Sequence, residues 1–286
     1  MYNETLSKGN MSGILLALVS ALFWGSGDFS GGFATRKANP FQVLALSAIS
    51  GFVILGLVVA ISRETLPAGA DLLWSLLAGF SGAVGITSLY TALSRGNTAA
   101  AAPISAVVGA ILPVGFAFLA YGTPSTLQII GILVAIIGIW LVSGSTSLKS
   151  NKSSPGLWLA FLAGAGFGGF FICISRVSSG SVFFPLLITR GVMLSIALLM
   201  LALRHLPFPV PQKNPVALLA GILDSGGNVF FLIATSLSRL DFAVIISSLY
   251  PAVTVLLAAA LLKEKVGNWQ KAGVVLCLAA IAMIST

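Results

Sequence analysis

The sequence predicts an all-helical integral membrane protein whose ten transmembrane helices form two inverted five-helix repeats. Three observations carry this. Only 8% of the 286 residues are charged while 57% are apolar, far from the composition of a water-soluble domain. The apolar residues fall into ten runs, each about as long as the roughly 20 residues a helix needs to cross a bilayer. The chain also matches itself at an offset near 143 residues.

The ten runs are approximately 13–33, 41–61, 72–93, 99–120, 126–144, 156–175, 183–203, 215–237, 242–262 and 268–285. Each is bounded by charge or turn residues, such as Asn39-Pro40, Ser62-Arg63-Glu64, Gly122-Thr123-Pro124 and Lys263-Glu264-Lys265. The runs do not alternate polar with apolar, which excludes barrel strands and leaves the helix as the structure that satisfies its own backbone in lipid. The first run is too long for the apolar stretch of a signal peptide, holds Asp28, and reaches Arg36-Lys37 without a small-residue cleavage site. It is expected to remain as the first helix.

Self-alignment sets Gly13, Leu16, Ala17 and Gly25 on Gly156, Leu159, Ala160 and Gly168. It continues with Leu77-Ala78-Gly79 on Leu219-Ala220-Gly221 and Leu93-Ser94-Arg95 on Leu237-Ser238-Arg239, and ends with Gly131, Ile139 and Ser143 on Gly273, Ile281 and Ser285. The expected organisation is a tail over 1–12, a first repeat over 13–144, a polar linker over 145–155 and a second repeat over 156–286. An odd number of helices per repeat makes the second copy enter the membrane from the opposite face. Such a pair supplies two near-equivalent conformations, the physical basis of alternating access.

The net charge of +8 arises from bases set singly or in pairs between apolar runs. It therefore reads as membrane topology, with no nucleic-acid partner expected. With the tail outside, ten bases including Arg36, Lys37, Arg204 and Lys213 fall in the cytoplasm, against four (Lys8, Arg63, Arg176 and Arg239) for the opposite choice. Cys173 and Cys277 lie inside apolar runs, where packing is their expected role. No HExxH, DDxxD or GxxxxGK[ST] motif is present, so neither an enzyme nor a built-in ATP motor is expected, and no cofactor or metal.

Several residues carry the resemblance to a known family: Phe23-Trp24-Gly25-Ser26, the Ala92-Leu93 and Ser236-Leu237 helix ends followed by Arg, Ser248-Leu249-Tyr250-Pro251, and Lys263-Glu264-Lys265. The pattern resembles the EamA family of the drug/metabolite transporter superfamily over nearly the whole chain. The resemblance implies a ten-helix carrier of the cell membrane that moves small metabolites, amino acids or drug-like compounds out of the cytoplasm. Relatives are drawn with both termini in the cytoplasm, opposite to the charge count, which leaves sidedness open. Tyr121-Gly122-Thr123-Pro124 stands where the second half has its Glu264 motif, and Asp28 occupies a position the family pattern leaves apolar.

Of seven acids, Glu4, Glu64, Asp71, Asp241 and Glu264 are expected in the tail or at helix ends, within reach of water. Asp28 and Asp224 lie within spans, where a charge costs about 2.5–3.5 kcal/mol, so each faces a wet cavity or a partner, or is protonated. Asp28 sits beside Gly27-x-x-x-Gly31 and is the better proton site; Asp224 is followed by Ser225-Gly226-Gly227-Asn228. Arg190 either neutralises Asp28 or Asp224, fixing the halves together, or binds an anionic group of the substrate. Trp24, one turn before Asp28, is expected to line the cavity, with Tyr90, Asn228 and Tyr250 completing the substrate or proton pathway. Trp74, Trp158 and Trp269 are expected in the interfacial belt and His205 at a rim, while most phenylalanines are expected in lipid or core. Pro103, Pro113 and Pro251 are candidate gate hinges. The expected partners are the lipid bilayer, a small-molecule substrate and protons, with the chain a monomer or weak homodimer. The competing readings are an uncoupled facilitator or lipid flippase of the same fold.

Overall fold

The computed structural model describes residues 2–94, 98–144, 157–178, 181–263 and 266–284. Within its helices the side chains of 2–10, 90, 93–94, 98–103, 143–144 and 157 lie outside the description. Among the described residues there is no strand, and eleven α-helices follow in order. They are α1 (Tyr2–Ala34), α2 (Pro40–Ser62), α3 (Gly69–Ser94), α4 (Thr98–Tyr121), α5 (Thr126–Gly144), α6 (Leu157–Ser175), α7 (Phe183–Leu203), α8 (Pro215–Leu237), α9 (Leu240–Ser247), α10 (Tyr250–Leu262) and α11 (Asn268–Ile284). Eight segments are long and apolar enough to cross a membrane, α9 and α10 together making one of them, and Thr126–Val142 and Asn268–Ile284 are shorter apolar helices. Outward faces carry exposed Ile61, Leu119 and Val275, as lipid contact requires.

Local chemistry accounts for the ends. Asn39 and Gln42 cap α2 reciprocally, with Pro40 in the first turn, where its missing N–H costs nothing. Arg63 then closes the same helix in the left-handed region at φ 55°.

The expected ninth helix, 242–262, is corrected in one respect: it starts at Leu240 and is broken in two at Ser248-Leu249. Pro251 has no N–H to donate to the Ser247 carbonyl, and its ring crowds that oxygen. The backbone turns instead through Leu249 N–H to Ile246 O (3.2 Å) and Ala252 N–H to Leu249 O (2.9 Å). The matching stretch of α4 has Ala106-Val107-Val108-Gly109 and runs on unbroken, through Pro113 as well. The discontinuity therefore belongs to the second half alone.

Packing repeats under exchange of the halves. Helix α1 lies along α8 as α6 lies along α3, α2 packs on α7, and α5 packs on α11. The close contacts repeat too. A Cβ on Gly25 would lie 2.6 Å from the Tyr250 carbonyl oxygen, and one on Gly168 would lie 3.3 Å from that of Gly109. Gly79 sits against the Thr189 backbone as Gly221 sits against that of Ser47. Small residues at matched positions let equivalent helix pairs approach closely, the means by which helices associate in lipid.

Candidate functional site

A cavity of about 630 Å³ lies between the halves, lined from α1, α2, α3, α4, α6, α7, α8 and the α9–α10 break, with no contribution from α5 or α11. Its volume is within the range of small-molecule sites. It runs from Trp24, Phe171 and Tyr250 at mid-span to Thr35 and Pro40 at the α1–α2 connection. That end of the molecule carries Arg36, Lys37, Arg204 and Lys213, and is called the basic end below.

The floor is aromatic. Trp24 is only 7% exposed, and its ring centroid lies 5.6 Å from that of Phe171, 5.5 Å from Phe231 and 6.3 Å from Tyr250. Gly226 and Gly227 make this possible, because side chains there would collide with the rings of Phe23 and Trp24. Trp24 is among the residues that line the cavity. Phe167, Phe170 and Phe171 of α6 also form cavity wall, and Phe171 does so as part of the buried core, with Phe170 packed against that core. Their signal in the sequence is that they alternate with the glycines at 164–169.

Asp28 stands one helical turn above Trp24 on the cavity wall, exposed to it. Among the described residues its carboxylate has no hydrogen-bond or ion-pair partner. Gly27 beside it lets α1 approach α8, where a Cβ would lie 3.3 Å from the Asp224 backbone nitrogen. The two acids therefore occupy adjoining helices at one depth.

Arg190 pairs with Asp224, not with Asp28. Asn228 donates from Nδ2 to the Asp224 carbonyl at 2.6 Å and to its carboxylate at 3.4 Å. Gly51 leaves the room: a Cβ there would lie 3.3 Å from Arg190 Cδ and Nε. Since α7 and α8 belong to the same half, this ion pair organises one half instead of fixing the two together. Arg190 is 5% exposed and Asp224 37%, so the guanidinium is spent internally and the cavity sees a neutral pair.

Tyr250 and Ser248 reach the cavity from the helix break, with Pro251 immediately beyond it. Pro113 is buried within α4 and does not line the cavity. The side chains of Tyr90 and Pro103 lie outside the described residues, as does Glu264. His205, Trp158 and Trp269 are exposed.

At the end opposite the basic one, groups expected in water join the halves. Glu64, between α2 and α3, accepts backbone N–H bonds from Val182 (3.1 Å), Phe183 (2.9 Å) and Phe184 (2.8 Å) at the start of α7, together with the Ser181 hydroxyl at 3.4 Å. A carboxylate satisfies free N–H groups of a helix start and meets its positive dipole end. Asp71 accepts from Ser178 N–H at 3.1 Å. Arg239 donates to the Tyr121 and Gly122 carbonyls at 3.2 and 2.6 Å and pairs with Asp241 at 2.9 Å. Asp241, expected within reach of water, is completely buried; the fork of Arg239 replaces the water it loses. At the basic end the halves meet through two amides, Gln42 to Pro207 O and Asn214 to Ala34 O, both at 2.9 Å, and through the Arg204 guanidinium, 4.6 Å from the Phe41 ring centroid. Helix α2, the counterpart of α7, starts there with a capping box made by its own Asn39 and Gln42. Sequence reasoning missed Glu64, Asp71 and Arg239 as joining groups because their partners lie about a hundred residues away.

The chain matches the EamA-like transporter family twice, over residues 11–144 and 154–286, one match to each expected repeat. An uncharacterized protein of Methanocaldococcus jannaschii is 28% identical over 131 residues, which cover 46% of this chain and 95% of that protein. A protein of known crystal structure superposes with a TM-score of 0.72 at 18% identity, covering 96% of both chains. The latter likeness is one of fold.

Proposed function

The chain belongs to the EamA-like transporter family of multi-pass membrane proteins, and from that premise we propose that it is a secondary carrier of the cell membrane. It exports small metabolites, amino acids or drug-like compounds by alternating access, through ten spans arranged as two oppositely inserted repeats. The observation that carries this reading is the cavity between the halves, which reaches the basic end, while the Glu64, Asp71 and Arg239 bonds join the halves at the other. Packing that repeats under exchange of the halves supports a second state in which the open and closed ends trade places.

Taking the basic end as cytoplasmic, the cavity is open to the cell interior, the state in which an exporter loads. Asp28 is the coupling group: a carboxylate without a protein partner, facing the cavity, that takes a proton from one side and gives it up to the other. The test is efflux from proteoliposomes with and without an imposed proton gradient. Substrate driven uphill by the gradient is the expected result. Equal efflux in both conditions removes the coupling and assigns an uncoupled facilitator.

A further inference from the structure

The charge balance of the cavity identifies the class of solute it recognises. Among the described residues lining it, the acids and bases are Asp28, Arg190 and Asp224. Arg190 and Asp224 neutralise one another, and the guanidinium, at 5% exposure, has little surface to offer a second anion. Asn228 is directed at Asp224. What remains is one unpaired negative charge, at Asp28, in a chamber whose other walls are predominantly apolar and aromatic.

We infer that the cavity takes a monocationic amphiphile: an organic ammonium whose charge sits at Asp28 and whose apolar or aromatic body rests on Trp24, Phe171 and Tyr250. This deepens the carrier reading by naming the substrate class of its site. An anionic solute brought here would lie beside an uncompensated carboxylate in a poorly screened space, where like charges repel strongly. A neutral solute would gain the apolar contact and leave Asp28 unpaired. A cation gains both, because the ring faces attract positive charge and the carboxylate supplies an ionic bond. Trp24 stands one turn below the acid on α1, so the charge and the ring against which the body rests are offered at different depths, which suits an elongated molecule entering head first or tail first from the basic end. One carboxylate holds a proton or the ammonium, not both, so the two compete for it directly.

The experiment is isothermal titration calorimetry of the full chain in detergent with three probes that share a 2-naphthylmethyl body: (2-naphthylmethyl)trimethylammonium, 2-naphthylmethanol and 2-naphthylacetate. The ammonium is expected to bind at least 10-fold more tightly than the alcohol and the acetate more weakly than either. Asp28→Asn is expected to weaken ammonium binding at least 10-fold and Asp28→Glu to restore most of it, with unaltered melting temperature and a monodisperse gel-filtration peak showing that each variant is folded. Equal affinity for ammonium and alcohol, preference for the acetate, or unchanged ammonium affinity in folded Asp28→Asn would each overturn the inference. Because binding is read at equilibrium, it fails separately from transport. An ammonium preference without movement across proteoliposomes removes the carrier reading alone, whereas proton-driven efflux of neutral or anionic solutes with no ammonium preference removes this inference alone.

Discussion

The Phe184 backbone N–H donates to Glu64 Oε2 at 2.8 Å across 120 residues of sequence, and the neighbouring N–H groups of Val182 and Phe183 converge on the same carboxylate. One side chain from the first half thus caps a helix of the second. The matching helix start at the other end, that of α2, is capped by its own Asn39. Charge-assisted hydrogen bonds thus join the halves at the end opposite the basic one, against neutral amide bonds and the Arg204 guanidinium 4.6 Å from the Phe41 ring centroid at the basic end, and in the proposed alternating-access cycle that difference biases the molecule toward the state open at the basic end.

Removing the fastening tests that bias. Glu64→Ala leaves three helix-start N–H groups to water and is expected to lower stability by about 1–2 kcal/mol. It is also expected to raise labelling of a cysteine placed at Leu232, a buried position beside the latch, by membrane-impermeant reagents added from that end. Glu64→Gln, which keeps one acceptor oxygen, should fall between. Labelling that stays at the parental rate in folded Glu64→Ala would show that the carboxylate does not hold this end shut.

Asp28→Asn removes the carboxylate and keeps the shape of the side chain. Concentrative efflux from proteoliposomes is expected to be abolished while thermal unfolding is unchanged, since Asp28 bonds to none of the described residues. Uphill transport at the parental rate would reduce Asp28 to a structural group.

The Arg190–Asp224 pair is expected to behave as a unit. Arg190→Ala strands a carboxylate that is 37% exposed, so the loss should be about 1–3 kcal/mol, below the 3–5 kcal/mol for breaking a fully buried pair. The double variant Arg190→Leu with Asp224→Leu should be more stable than Arg190→Ala, as read from melting temperatures in detergent. Additive losses in a double-mutant cycle would mean that the two groups act independently.

Close helix approach at Gly221 is the most demanding of the packing contacts, because any Cβ there would collide with the Ser47 carbonyl and the Ser50 hydroxyl. Gly221→Val should force α8 off α2 and cost about 3 kcal/mol or more. Loss of the monodisperse gel-filtration peak is the readout. Gly32→Ala, at a site with open space around it, should leave that peak intact.

Much of the architecture follows from one-dimensional properties. Length, charge scarcity and runs of apolar residues dictate helices in lipid, because a backbone without water must satisfy itself. The offset near 143 residues carries the duplication, since matched glycines at 25 and 168, or 79 and 221, mark equivalent helix contacts. Asp28, Asp224 and Arg190 are conspicuous for the same reason: charge within an apolar run is costly wherever the helix sits.

Tertiary structure decided which of these groups meet. Pairing depends on helix rotation and neighbour order, which an apolar run does not encode, and so Arg190 could be placed among acids by sequence but assigned to Asp224 only by the packing of α7 on α8. The same holds for Phe167 and Phe171, which line the cavity because the halves leave a space beside α6, a space that an apolar run does not encode. The roles of Glu64 and Arg239 rest on geometry alone: a polar residue at a helix end is solvated or structural according to what the rest of the chain brings within 3 Å of it, and that distance is set by the fold as a whole.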